Sequence, residues 1–223
     1  MEVNLISYTP EPEKVVAAAA RLCYSAAAVP ELLEGLGPDE TVRLVKKLYE
    51  MGHLSTFEHV SFQFSVDGVS RALSHQLVRH RIASYSQRSQ RYVRETGFRY
   101  VAPPSVRENP EALRRFQAAM EYLQAGYAAL LAEVPAEDAR YILPNACVTS
   151  LLVTMNARAL LHFFELRTCT RAQWEIREMA CQMLEMAREV APALFHLAGP
   201  ACESKGFCPE GELSCKKNGA KHR

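Results

Sequence analysis

Residues 59–67, HVSFQFSVD, constrain the fold more than any other stretch of this 223-residue chain. Val60, Phe62, Phe64 and Val66 alternate with Ser61, Gln63 and Ser65. Alternation with a period of two puts successive side chains on opposite faces of an extended chain, so the segment is a strand with one dry and one wet face. The dry face needs a covering layer, and helical patterns lie on both sides of it in the sequence. Residues 11–25 predict a helix burying Val15, Ala19, Leu22 and Cys23, and a second opens at Asp39, buries Val42, Val45 and Leu48, and stops at Gly52. Residues 70–80, with Leu73 and Leu77 four apart, predict a third. Residues 109–133, 136–143, 157–166 and 171–198 follow, with Pro192 expected to kink or divide the last. Residues 3–9 read as a first strand, 98–101 as a short one and 30–38 as a loop. Residues 147–155, CVTSLLVTM, fit either a strand or the start of a buried helix. Helices before and after a few strands, without βαβ alternation, predict an α+β single domain. Its sheet should be central, mostly antiparallel and flanked by helices, with a C-terminal helical part. That domain is expected to span residues 1–199, with residues 200–223 a Cys-containing, poorly ordered tail.

Composition narrows the function classes. The chain is 48% hydrophobic and 23% charged, as a soluble globular protein is. No apolar run reaches membrane-spanning length and the first residues lack a signal-peptide pattern, so a cytoplasmic protein with no membrane partner is expected. The net charge of +1 hides an asymmetry. Between Val69 and Arg107 there are eight arginines and one acid, Glu95, and no lysine occurs between Leu48 and Ser204. The seven cysteines are odd in number and scattered, which argues for reduced thiols. Cys23, Cys147 and Cys181 sit among apolar residues and are expected in the core. Cys202, Cys208 and Cys215 match no zinc-knuckle spacing, and no metal is expected.

The arginines concentrate in residues 79–92, RHRIASYSQRSQRY, which hold no acid and no lysine. Guanidinium forks, the hydroxyls of Ser84, Ser86 and Ser89, and the amides of Gln87 and Gln90 make a donor set suited to an anion such as phosphate. A solvated basic loop would share the charge, but this run is joined directly to a core strand and helix and uses arginine alone. Two further segments carry polar groups at defined places. His53 follows Gly52 and precedes Leu54-Ser55-Thr56-Phe57-Glu58-His59; a histidine there can also serve as a helix C-cap. Asn156 and Arg158 open a helix, where unpaired backbone N–H groups favour anions. His162 lies one turn past Arg158, while Arg167, nine residues on, falls about half a turn round. One ligand against one straight helix cannot touch both arginines. Surface pairing of Arg158 and Arg167 with nearby glutamates is the alternative for each. Neither G-x-G-x-x-G after a strand nor G-x-x-x-x-G-K-[ST] occurs, and Cys147 in PNACVT has no neighbouring histidine.

Three segments together resemble the flavin-dependent thymidylate synthases. They are Arg79-His80-Arg81 with Ser84 and Ser89-Gln90-Arg91-Tyr92; Gly52-His53 through Phe57-Glu58-His59; and Asn156-Ala157-Arg158 through Leu166-Arg167, with Ala172-Gln173-Trp174-Glu175 downstream. The resemblance implies reductive methylation of dUMP to dTMP. The one-carbon unit would come from 5,10-methylenetetrahydrofolate and the reducing equivalents from NADPH through FAD. It implies a dUMP site of Gln76, Arg79, Gln87, Arg88, Ser89, Gln90, Arg91 and Arg140, with Arg91 and the Ser89 region on the phosphate. Arg167 would contact the uracil and stabilise ionisation at N3, and His53 would lie in the active site. FAD would be held by Ser55, Arg79, His80, Arg81, Gln87, Asn156, Arg158 and His162. Some relatives carry Glu in place of Gln87 and Asn in place of His162, so a carboxylate base at position 87 is excluded here. The family's homotetramers share active sites between subunits, which suits the opposed directions of Arg158 and Arg167. The competing reading is a nucleic-acid-binding module, with the arginines of residues 71–107 as its basic patch and Tyr85, Tyr92 and Tyr100 for stacking. It leaves the second and third segments without a role.

Overall fold

The computed structural model of the protein describes residues 1–215 and 221–222. In chain order it forms β1 (Glu2–Tyr8), α1 (Pro12–Leu22), α2 (Val29–Glu34), α3 (Pro38–Glu50), β2 (Ser61–Ser70), α4 (Arg71–Leu77) and β3 (Ser84–Gln87). Then come α5 (Pro104–Arg107), α6 (Pro110–Glu133), α7 (Ala136–Ala139), β4 (Val148–Asn156), α8 (Ala157–Arg167), α9 (Trp174–Val190) and α10 (Ala201–Ser204). Three-residue-per-turn helices at Leu54–His59 and Arg140–Ile142 bear on the site. The fold is α+β, with one antiparallel four-stranded sheet in the order β1-β2-β4-β3 flanked by helices.

Contacts divide the chain into two compact units that ignore chain order. One holds residues 1–2, 66–79 and 85–152; the other holds 3–65, 80–84 and the chain from 153 on. In the second unit the alternation of β2 does what its spacing demands, with Val60, Phe62 and Phe64 fully buried. Phe62 meets Phe195 edge-on at 5.3 Å between ring centroids, and Phe164 meets Phe195 at 5.8 Å. Each such ring, removed from water, contributes roughly 2–3 kcal/mol. In the first unit Phe98, Met120 and Cys147 form a separate core under Tyr100, Phe116 and Leu123. Tyr127 is also fully buried, and its hydroxyl accepts the Glu95 N–H at 3.2 Å.

Local chemistry accounts for most element boundaries. Asn109 caps α6 by accepting the Glu111 and Ala112 N–H groups, and Gln173 caps α9 through Glu175 and Ile176. α9 ends at Val190, two residues short of Pro192, so the proline terminates the helix and does not kink it. Residues 147–155 resolve as the strand β4, and the expected strand at 98–101 reduces to one bridge, Tyr100 to Cys147.

Three further expectations fail. Residues 30–38 are not a plain loop, because α2 begins at Val29 and the Glu31 carboxylate returns to the Ala28 N–H. α1 buries Val16, Ala17, Ala18 and Ala20, and Leu22 and Cys23 are exposed. The four consecutive alanines, Ala17 to Ala20, mark no unique stripe, and close packing chose a neighbouring face. Cys181 is also exposed, because the buried stripe of α9 runs through Ile176, Met179, Ala180, Met183 and Leu184. Cys147 is buried as expected. Within the tail, the described residues form α10, a buried Cys208 and ion pairs of Lys205 with Glu165 and Glu210 with Arg171. The remainder of the tail, 216–220 and 223, lies outside the described residues.

Candidate active site

In the first unit, α4 ends at Leu77 and delivers Gln76 and Arg79 to a short turn. Gln76 is half-buried, with its amide on the Ala72 carbonyl at 3.4 Å, and Arg79 is exposed. The backbone then re-enters the sheet as β3, whose edge fixes the next residues. The Arg88 N–H reaches the Ser150 carbonyl at 3.0 Å, and its guanidinium reaches the Ser150 hydroxyl at 2.9 Å. Gln87 donates to Thr149 Oγ1 at 3.2 Å. The Ser89 hydroxyl accepts the Arg91 N–H at 3.2 Å. Gln90 turns inward, nearly buried, with its amide 3.7 Å from the Cys147 sulfur. Of the candidate nucleotide residues, it is the one whose side chain points into the core.

Arg91 is exposed, and both its Nε and Nη2 donate to Glu137 Oε2, at 3.1 and 3.0 Å. Arg140 approaches the same residue from the next turn, its Nε on the Glu137 carbonyl at 3.1 Å. Two cations assigned to one anionic ligand are thus gathered by one glutamate on α7. The hydrogen bonds that Arg91 donates to Glu137 raise its pKa above the ordinary value. Burial pushes Cys147 up to about 11, with Glu95 adding to the rise, so at neutral pH it is a protonated thiol. Tyr85, half-buried and donating to the Leu77 carbonyl at 2.9 Å, is raised to about 12 by its burial.

In the second unit, the turn at Leu54–His59 is pinned by buried Phe57 and presents exposed Ser55 with His53 at its start. A cavity of about 870 Å³ opens beside them, lined also by Arg43, Lys47, Leu44 and Met51. Leaving β4, Asn156 caps α8 by accepting the Ala159 N–H at 2.8 Å, while the Ala157 N–H reaches the Val60 carbonyl at 2.9 Å. Two of the donors expected for an anion are therefore already engaged within the protein. Arg158 forms an ion pair with Glu58, and exposed His162 lies one turn on. At the far end of the same unbroken helix, Arg167 Nε donates to His80 Nε2 at 3.0 Å. The His80 ring meets Phe163 edge-on at 4.9 Å and the His162 ring at 6.2 Å. Burial first, then Arg167 and His162, lowers the His80 pKa from 6.5 to about 4. Arg81 is exposed.

Each unit thus offers an anion-binding surface, and the second adds a half-buried guanidinium able to stabilise negative charge on a ligand. Sequence reasoning assigned no role to Glu58 or Glu137. Glu58 stands inside a segment singled out for its histidines and serine, and nothing local marks Glu137. Their partners lie 100 and 46 residues away.

Residues 4–193 match the model of the family described as thymidylate synthase complementing protein. A protein of Geobacter sulfurreducens named flavin-dependent thymidylate synthase is 51% identical over 97% of this chain and 94% of its own length. Proteins of the same name from Clostridium tetani and Thermococcus onnurineus are 48% and 43% identical, over 97% and 96% of this chain and 94% and 91% of theirs. With a family match across most of its length and relatives this similar from end to end, the chain belongs to the flavin-dependent thymidylate synthases of the thymidylate synthase complementing protein family.

Proposed function

We propose that the protein methylates dUMP reductively to dTMP, taking the one-carbon unit from 5,10-methylenetetrahydrofolate and reducing equivalents from NADPH through FAD, with tetrahydrofolate as the second product. The observation that carries this reading is the half-buried Arg167 guanidinium, held at the end of α8 with its Nε on the His80 imidazole. A guanidinium so placed stabilises negative charge at uracil N3 as the proton leaves that atom. Arg91, with the Ser89 region, takes the phosphate in exchange for its contact with the Glu137 carboxylate, and Arg140 also reaches the nucleotide. Gln76, Arg79, Gln87, Arg88, Ser89 and Gln90 complete the nucleotide side, Gln90 by fixing the backbone from within the core.

The donor set of the second unit fits FAD: hydroxyl Ser55, capped Asn156, Arg158, His162, and the His80-Arg81 turn are neutral or cationic and suit a diphosphate and a heteroaromatic ring. Arg79 and Gln87, the other residues that the resemblance assigns to FAD, are likewise a cation and a neutral amide. FAD, when bound, carries electrons between NADPH and the transferred carbon. His53, which lines the same cavity as Ser55, belongs to the active site. No protein nucleophile is needed for this course, which agrees with a Cys147 that is buried and protonated. The active assembly is a homotetramer that shares its sites between subunits. It is assigned to the cytoplasm, without nucleic-acid or membrane partners.

The visible spectrum tests the reading. The purified protein, supplemented with FAD and desalted, should show flavin absorbance that dUMP perturbs. A protein that takes up no FAD and binds oligonucleotides in a salt-sensitive manner would overturn it and favour a nucleic-acid-binding module.

A further inference from the structure

We propose that the cavity beside Ser55 is a subsite for the oxyanion-bearing end of a co-substrate, with Arg43 and Lys47 as its recognition pair. The inference rests on the reaction proposed above and adds to it two residues that none of the three sequence segments contains.

The cavity lies wholly within the second unit, between α1, α2, α3 and the turn at Leu54–His59. Its volume, about 870 Å³, is that of a site enclosing a small-molecule ligand. Buried Leu32 and Leu48 form an apolar floor with Leu44 and Met51 beside them, which suits a ring or a hydrocarbon stem. Three cations line the cavity, Arg21, Arg43 and Lys47, against one acid, Glu40. Glu40 is ion-paired with Arg21, so the excess positive charge falls on Arg43 and Lys47. These two stand four residues apart on α3, one above the other on a single face. At a rise of about 1.5 Å per residue they lie roughly 12 and 6 Å along the helix from Met51. His53 and Ser55 line the cavity beyond Met51, where the reaction and the flavin are assigned. A ligand that fills this space is therefore elongated, apolar along its middle and anionic at the end remote from His53. Two co-substrates of the proposed reaction have that form: the folate, ending in glutamate carboxylates, and NADPH, with its 2′-phosphate. The Arg43 fork and the flexible Lys47 ammonium suit either oxyanion.

The experiment compares the flavin-loaded parent with two double variants, Arg43→Gln with Lys47→Gln and the charge-keeping Arg43→Lys with Lys47→Arg. Both positions are exposed, so the substitutions leave the core intact. Calorimetric titration needs no turnover and uses two pairs of ligands: tetrahydrofolate with one or three glutamates, and NADP⁺ or NAD⁺. If the folate supplies the anion, the glutamine variant should lose about tenfold in affinity for the triglutamate form and less for the monoglutamate. If the nicotinamide nucleotide supplies it, NADP⁺ should weaken about tenfold while NAD⁺ changes little. In either case added salt should shrink the loss, and the charge-keeping variant should bind as the parent does. In turnover, the KM for that co-substrate should rise more than kcat falls. Affinities unchanged in the glutamine variant, or no binding of either ligand pair by the parent, would overturn the proposal. So would a loss of FAD affinity instead, which would give the cavity to the flavin, or a change in oligomeric mass, which would make it a subunit contact. If the parent forms no dTMP, the assigned reaction fails, while the titrations still decide whether Arg43 and Lys47 hold a co-substrate anion.

Discussion

Arg91 lies exposed in the unit that holds residues 85–152, with its Nε and Nη2 both on Glu137. Arg167 lies half-buried in the other unit, with its Nε on His80. An exposed ion pair contributes little and is screened by salt, so a phosphate can replace Glu137 at small cost. The Arg167 contact is different in kind. Its environment is drier, its Nε bonds an imidazole, and the aromatic ring of Phe163 stands edge-on to that imidazole. The first arrangement suits binding that must be reversible; the second suits a charge kept ready for a reaction.

The largest expected effect breaks the second arrangement. Arg167→Lys keeps the charge but loses the planar two-point geometry, and kcat should fall about a hundredfold while dUMP affinity changes much less. Steady-state turnover beside a flavin-fluorescence titration with dUMP checks both. Turnover within about threefold of the parent, a difference of only ~0.65 kcal/mol in barrier, would make Arg167 an ordinary surface arginine.

The next effect concerns how chains share the work. α8 runs unbroken from Ala157 to Arg167, so Arg158 and Arg167 do point about half a turn apart. Arg158→Ala and Arg167→Ala proteins, each inactive, should regain a substantial fraction of activity when co-refolded. Confirmed mixed oligomers that stay inactive would mean that both arginines serve one site from one chain.

On the nucleotide side a smaller change is expected. Arg91→Ala should weaken dUMP binding on the order of tenfold, less at high salt, with FAD retained. Glu137→Gln removes the competing carboxylate and should tighten dUMP modestly. Isothermal titration of the two variants separates the cases: if Glu137→Gln weakens binding, Glu137 is a support for Arg91 and not a placeholder.

Much of this contrast could not be read from the sequence. β2, α6 and α8 were legible because period-two alternation, a capping asparagine and 3.6-residue spacing are local properties of the chain. The candidate arginines and histidines stand out in the sequence through their motifs. Their partners do not, since Glu58, Glu137 and the His80–Arg167 bond join residues 100, 46 and 87 positions apart. The buried face of α1 was hidden by a run of four alanines that carries no stripe. α2 was hidden because Pro30 reads as a breaker unless one sees that it lies at the helix start.

The smallest effect lies away from both arginines. Cys147→Ser keeps an acceptor for the Gln90 amide, so unfolding should show a loss of only about 1 kcal/mol, with catalysis retained. A folded, flavin-loaded Cys147→Ser protein that binds dUMP yet forms no dTMP would restore a cysteine nucleophile to the mechanism.

The central claim is tested most directly by product formation from purified components. The flavin-loaded protein, given dUMP, 5,10-methylenetetrahydrofolate and NADPH, should form dTMP and tetrahydrofolate in equal amounts. Omitting the folate or NADPH, or stripping the FAD, should each stop the reaction. No dTMP from the complete mixture, or dTMP formed at an unchanged rate by FAD-free protein, would contradict the account.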